Sequence, residues 1–191
     1  MHATLRRTTT ALVLLLLLAG CAAVSPSAEP GPAPVPGKPA QPEDAMPATP
    51  ATDVVNELYD LVSFDGGQVP DWERVRALFL PEAVIVLRTS REATSVFSVD
   101  GFVGDFVNFV ETSSAGESGF TETIVRMEPV QFGDIAHVLV LYEAHLLGSD
   151  RGPRRGVDSI QLVRRDGAWR IAAIVNELPL DGRPLPEALQ G

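Results

Sequence analysis

Nine of the sixteen prolines in this 191-residue chain fall between residues 22 and 52, and that stretch confines any packed fold to the residues C-terminal of it. The segment is otherwise rich in alanine and holds no aromatic residue or long apolar run. It therefore buries too little surface to offset the entropy of ordering it. A semi-extended linker with polyproline character is expected, rising about 3.1 Å per residue and reaching at most about 90 Å. From Asp53 onward helical and strand periods alternate, so residues 53–191 read as the folded domain.

The residues before the linker read as a secretory signal. Arg6 and Arg7 form a basic start, and Ala11 to Ala19 is an almost pure leucine run, too short to span a bilayer. The sequence Leu18-Ala19-Gly20-Cys21 resembles the bacterial lipobox. That resemblance implies cleavage after residue 20 and acylation of Cys21, with residues 21–52 as the lipidated cysteine and its tether. Two or three acyl chains anchor a protein far better than one, which holds only reversibly. The plainer alternative is an ordinary signal with Cys21 near the cut by chance. Ala22 follows the cysteine where many Gram-negative lipoproteins carry a retention-type aspartate. The resemblance thus implies export to the cell envelope, at the periplasmic face of the outer membrane if the cell is Gram-negative.

Cys21 is the only cysteine, so the domain has no internal disulfide and its core must hold it together. Loss of residues 1–20 removes Arg6 and Arg7 and no acid, leaving 13 basic and 25 acidic residues and a net charge of −12. Such a balance disfavours nucleic acid and anionic lipid head groups as partners.

Within the domain, Thr52 is expected to cap a helix with the apolar stripe Val54, Val55, Leu58, Leu61 and Val62. Asp71 caps a second, short helix that Pro81 ends. Val84 to Leu87 and Thr94 to Val99 read as strands. Ser98 opens a third helix whose broad stripe, Phe102, Val103, Phe106, Val107, Phe109 and Val110, predicts heavy burial. Four strands complete the domain, near Phe120 to Glu128, Ile135 to Leu147, Val157 to Arg164 and Trp169 to Leu178, with turns at Gly133-Asp134, Gly148 to Pro153 and Asp166-Gly167. Helices first and antiparallel strands afterwards imply α+β, with the helices packed on one face of the sheet.

Several of these stretches resemble the nuclear transport factor 2-like superfamily, which includes SnoaL-like polyketide cyclases and ketosteroid isomerases. They are Phe64-Asp65 to Asp71-Trp72, Leu78-Phe79-Leu80-Pro81-Glu82-Ala83, Gly133-Asp134-Ile135-Ala136 and Asp166-Gly167-Ala168-Trp169-Arg170-Ile171. The resemblance covers nearly all of residues 53–178. It implies a cone of helices on a strongly curved antiparallel sheet around a pocket, often in a homodimer. Enzymes, ligand binders and scaffolds all use this fold, so it does not settle the function.

Searches for nucleotide-binding loops, metalloprotease helices, paired cysteines and nucleophile elbows find nothing. His137 and His145 lie eight apart on one strand, far separated on one face, which makes a poor metal site. No metal and no cofactor are expected. Where the isomerases of the family carry their general base, alignment puts Leu87, which cannot take a proton. Tyr59 matches the family's helix-one tyrosine and could donate into the pocket, or sit in the core with its hydroxyl at the rim.

A carboxylate pair emerges from the register. If Asp166-Gly167 is a two-residue turn, Asp158, Ile160, Leu162, Arg164, Trp169, Ile171, Ala173, Val175 and Glu177 share an inner face. Asp158 is then opposite Val175 and diagonal to Glu177, about 7–8 Å away. The two could act as acid and base or anchor a ligand. The plainer alternative puts both at a solvated rim, neutralising Arg126, Arg154 or Arg155, since a one-residue slip would turn both outward. Tyr59, Phe106, Asp158, Trp169 and Glu177 are thus the expected ligand-binding set. The expected function is a membrane-tethered module whose pocket binds a small apolar molecule or a protein partner without chemistry. The alternative is a SnoaL-like cyclase, dehydratase or isomerase using Tyr59 with Asp158 or Glu177. Convergence of two titratable groups inside one pocket separates these readings.

Overall fold

A computed structural model describes residues 50–89, 92–179, 182 and 184–190. Cys21, the signal and most of the linker lie outside the described residues. The domain itself is α+β, and its elements in chain order are α1 Ala51–Val62, β1 Phe64–Asp65, α2 Trp72–Ala77, β2 Phe79–Arg88, β3 Thr94–Phe97, α3 Val99–Thr112, α4 Ala115–Ser118, β4 Gly119–Phe132, β5 Ile135–Leu146, β6 Arg154–Arg165 and β7 Ala168–Glu177. A 3-10 turn at Glu187–Leu189 buries Leu189 next to β4.

The seven strands form one sheet in the order β1-β4-β5-β6-β7-β2-β3. Every pairing is antiparallel except β2 with β7, which is parallel because the last strand of the meander comes to lie alongside β2 in the same direction. α1 packs on β4 and β7 and α3 on β2, so the helices share a face. Ile85, Val138, Val140, Ile160 and Ile171 of the sheet meet Val55, Val75 and Val103 of the helices in a fully buried core. Each such side chain contributes roughly 1.5–3 kcal/mol relative to exposure. Among the described residues no helix is long and apolar enough to cross a membrane.

Local chemistry explains most boundaries. Asp71 Oδ1 accepts from Arg74 N at 2.9 Å and Ser98 Oγ accepts from Gly101 N at 3.2 Å, the two caps expected from sequence. Thr52 is not a cap. α1 starts at Ala51 behind Pro50, with no side-chain cap, because Pro50 holds the chain extended up to the first turn. Pro81 does not end a helix either; α2 stops at Ala77 and Pro81 lies within β2. The β2–β7 register shifts between Phe79 and Val84, and Pro81 occupies that irregularity, where no regular ladder bond is required of it. The third helix is less buried than its stripe suggests. Val99, Phe102 and Val103 are buried, while Phe106, Val107, Phe109 and Val110 are half-exposed.

Asp166 and Gly167 have φ of 53° and 78°, a two-residue turn with both residues left-handed, and Arg165 faces Ala168 as expected. Beyond that point the register departs from expectation. Leu162 faces Ile171 but Gln161 faces Ala173, leaving Ala172 as a bulge. One extra residue in β7 exchanges the two faces of everything after it. Ile174 and Asn176 therefore turn inward, and Val175 and Glu177 turn away.

Candidate functional site

The bulge at Ala172 builds the polar end of the inner face. It sets Asn176 opposite Asp158 on β6, in place of the expected Val175. Asn176 is buried, and its amide donates to Asp158 Oδ1 at 2.7 Å and to Tyr142 Oη at 2.9 Å. The other carboxylate oxygen of Asp158, Oδ2, accepts from Tyr59 Oη at 2.7 Å. The two tyrosine rings lie 5.7 Å apart and tilted by 54°. Side chains from α1 and β7 thus converge on one β6 carboxylate, and Tyr142 of β5 joins them through Asn176.

This network lines a cleft of about 280 Å³. Leu58, Val62, Ile85, Phe102, Phe106 and Ile174 supply apolar walls, and the exposed Thr89 and Asp105 mark the open side. Glu122 of β4 lines the same cleft and also a depression between α1 and β4, beside Asn56, Asp60 and Ser63. Its backbone is fixed by Ser63, whose Oγ accepts from Glu122 N at 2.8 Å. The serine hydroxyl lies 2.8 Å from Tyr59 O and 3.2 Å from Glu122 O, so one side chain ties the end of α1 to β4.

Desolvation dominates the electrostatics. Burial pushes the Glu122 carboxyl up to about 8, and the charge of Asp158 adds to the shift. No cation pairs with Glu122 among the described residues. Burial also raises Asp158, while the donors on Asn176 and Tyr59 pull it back down. Both tyrosine hydroxyls are held well above their ordinary value, first by burial and then by Asp158, so they remain protonated donors. Tyr142 Oη already accepts from Asn176, which leaves its own hydrogen free for a ligand. The result is two carboxyls in unequal surroundings, one fed by two side-chain donors and the other by none.

Of the residues expected from sequence, Tyr59, Phe106 and Asp158 line the cleft. Glu177 does not share a face with Asp158. It grips Arg88 through two bonds, Nε to Oε1 at 3.0 Å and Nη2 to Oε2 at 2.5 Å, because the bulge turns it away. Trp169 is buried in the core rather than along the cleft, with Arg164 Cζ 4.9 Å above its ring. The rim pairing of Asp158 with arginine is absent too, since Arg155 pairs with Glu143 and Arg126 with Glu128. Leu87 does line the cleft, where the resemblance would place a base. His137 Nε2 lies 3.0 Å from Ser159 Oγ, and no group of three metal-ligating side chains occurs among the described residues. Glu122, Tyr142 and Asn176 are additions that the sequence pattern does not single out.

Gly156 is the backbone device that admits Tyr142. The two residues face each other across β5 and β6, and a Cβ on Gly156 would lie 2.3 Å from Tyr142 Cζ and Oη. Gly156→Ala is therefore expected to displace the ring and break its contact with Asn176. A cost of about 1–3 kcal/mol is expected, read by chemical denaturation together with the Tyr142 ring resonances. Unchanged ring resonances would count against this role.

No family model and no curated protein matches the chain. Solved structures do. A nuclear transport factor 2-like protein with a cystatin-like fold from Novosphingobium aromaticivorans aligns with a TM-score of 0.56 at 18% identity, covering 73% of this chain and 85% of that one. A nuclear transport factor 2-like protein of unknown function from Pseudomonas putida gives 0.55 at 10% identity, over 68% and 84%. A candidate scytalone dehydratase from Novosphingobium aromaticivorans gives 0.51 at 12% identity, over 68% and 81%. At these identities the likeness concerns architecture alone, and the described domain has the nuclear transport factor 2-like, cystatin-like fold.

Proposed function

We propose that the cleft is an acid–base site that abstracts a proton next to the carbonyl of a small, largely apolar molecule, with elimination of water as the reaction class. The observation that carries this reading is the desolvated Asp158, held by Tyr59 and Asn176 across a cleft that also holds the carboxyl of Glu122. For a β-hydroxy ketone, Asp158 takes the α-proton and the C–H electron pair becomes the new C=C bond. The β-hydroxyl leaves with the proton of Glu122 as water. Tyr142 donates to the carbonyl oxygen as charge builds there. Asp158 ends protonated and Glu122 ionised, and transfer of one proton between them through water resets the site.

A panel of cyclic β-hydroxy ketones, beginning with 3-hydroxycyclohexanone, tests this in D2O. Deuterium should enter the α-position of ketones that occupy the cleft, and an enone absorbance should grow. Ketones that bind there yet exchange no faster than with Asp158→Asn would refute the chemistry. The second reading, an apolar-ligand binder without chemistry, rests on Leu87 in the cleft wall at the position where the isomerases of the resemblance place their base.

We also propose that the domain works at the cell envelope, tethered by acyl groups on Cys21. Radiolabelled palmitate should enter the wild type, and Cys21→Ala should lose both the label and the membrane association. A Cys21→Ala protein still in the membrane fraction would rule the anchor out.

A further inference from the structure

Another concavity, of about 500 Å³, lies away from the cleft, between the last turns of α3 and the loop joining β5 to β6. Its floor is Phe109 and Phe120, stacked edge to face at 5.3 Å, with Ala144 and Leu146 beside them. None of the residues lining it lines the cleft. Phe106 stands between the two, with its ring 6.2 Å from Phe109 and 5.9 Å from Phe120, and it belongs to the cleft wall. Arg151 and Arg154 stand at the exposed rim. Neither guanidinium pairs with a carboxylate among the described residues, although this chain carries 25 acidic residues and eight other ion pairs are formed. No acidic side chain lines the concavity.

An aromatic floor under two unengaged guanidinium groups is complementary to a molecule apolar along its length and anionic at one end. We propose that this groove binds a single-chain fatty carboxylate, with its alkyl chain on Phe109, Phe120 and Leu146 and its carboxylate on Arg151 and Arg154. Guanidinium groups suit this head group because their forked donors match the two carboxylate oxygens. The volume falls in the range of small-molecule sites. The net negative charge of the chain disfavours an extended anionic surface, whereas repulsion of one small anion is screened beyond about 8–10 Å. A monomeric amphiphile is therefore the occupant, not a bilayer.

The test uses the full chain carrying Cys21→Ala, so that no acyl group of its own competes. Decanoate is titrated below its micelle concentration and followed by amide chemical shifts. Saturable shifts should centre on Phe109, Phe120 and Leu146, and Arg151→Ser with Arg154→Ser should weaken binding at least tenfold. Both arginines are exposed, so this double variant should fold as the wild type does. Asp158→Asn, in the separate cleft, should leave decanoate affinity unchanged. Shifts centred on Tyr59 and Asp158, an affinity indifferent to the arginines, or no saturation at millimolar decanoate would each overturn the assignment. So would arginine-dependent sedimentation with phosphatidylglycerol vesicles in the absence of decanoate binding, which would make the rim a membrane contact.

Discussion

Asp158→Asn is expected to leave the domain folded while lowering proton abstraction from a bound ketone by about 10²–10⁴-fold, the usual worth of a positioned base. Folding should survive because the amide can still satisfy its neighbours. Its oxygen can accept from Asn176, and its nitrogen can donate to Tyr59 Oη, which accepts as readily as it donates. The stability sign comes from the raised Asp158 carboxyl. A group raised in the folded state contributes stability below its unfolded value, and that contribution fades as pH rises through the folded one. The amide removes this penalty, so the variant should equal or exceed the wild type near neutrality. Glu143→Gln is the matched control. It weakens the exposed Arg155 pair outside the cleft and should leave deuterium exchange unaffected. An Asp158→Asn protein that exchanges at the wild-type rate would sink the acid–base reading, and the binding reading would then stand.

Why Asp158 can be read from sequence and its partners cannot is a matter of where the period-two pattern is continuous. The turn at Asp166-Gly167 announces itself by composition, and from it the inner positions of β6 can be counted back to Asp158. On the β7 side the count crosses Ala172, an alanine among small and apolar neighbours with nothing to mark it as an extra residue. Every position after it is inverted, so counting by twos points Glu177 inward in place of Asn176. Glu122 is legible in principle: it lies at i±2 from Phe120 and Ile124, both inner positions of β4, so its carboxyl has to face the core. The flanking Thr121 and Thr123 make the stretch read as polar instead. Tyr142 sits in a nearly continuous apolar run, where period two gives no face, and the glycine that makes room for it is 14 residues away. Phe106 belongs to the helical stripe, though its role differs from the one the stripe implies. It lines the cleft and packs edge to face on Phe109 and Phe120, which floor another concavity, so the half of α3 beyond it stays partly open.

Glu122→Gln should stabilise the domain in a pH-dependent way, with the two proteins equal near pH 4.5 and diverging up to about pH 8. The glutamate is raised from 4.5 to about 8 by burial and by the charge of Asp158. Between those values the folded state holds a proton that the unfolded chain has released, so wild-type stability falls as pH rises, by about 1.4 kcal/mol per unit for one proton. Integrated over the whole window this is a ceiling of about 5 kcal/mol. Water reaching the half-buried carboxyl from the α1–β4 depression reduces it to about 2 kcal/mol, a difference of roughly 5–10 °C in melting temperature. Glutamine has the same shape and no proton to lose, so its curve should lack this slope and run flat relative to the wild type above pH 8. After burial itself, the group behind the shift is Asp158 from β6; Tyr59 from α1 and Tyr142 from β5 line the same cleft. Asp158→Asn should accordingly bring the Glu122 carboxyl resonance to titrate at a lower pH than in the wild type. Parallel melting curves for Glu122→Gln and wild type from pH 4.5 to 8.5, with Glu122 titrating in the ordinary carboxylate range, would remove it as the neutral acid. The site would then exchange the α-proton through Asp158 without losing water.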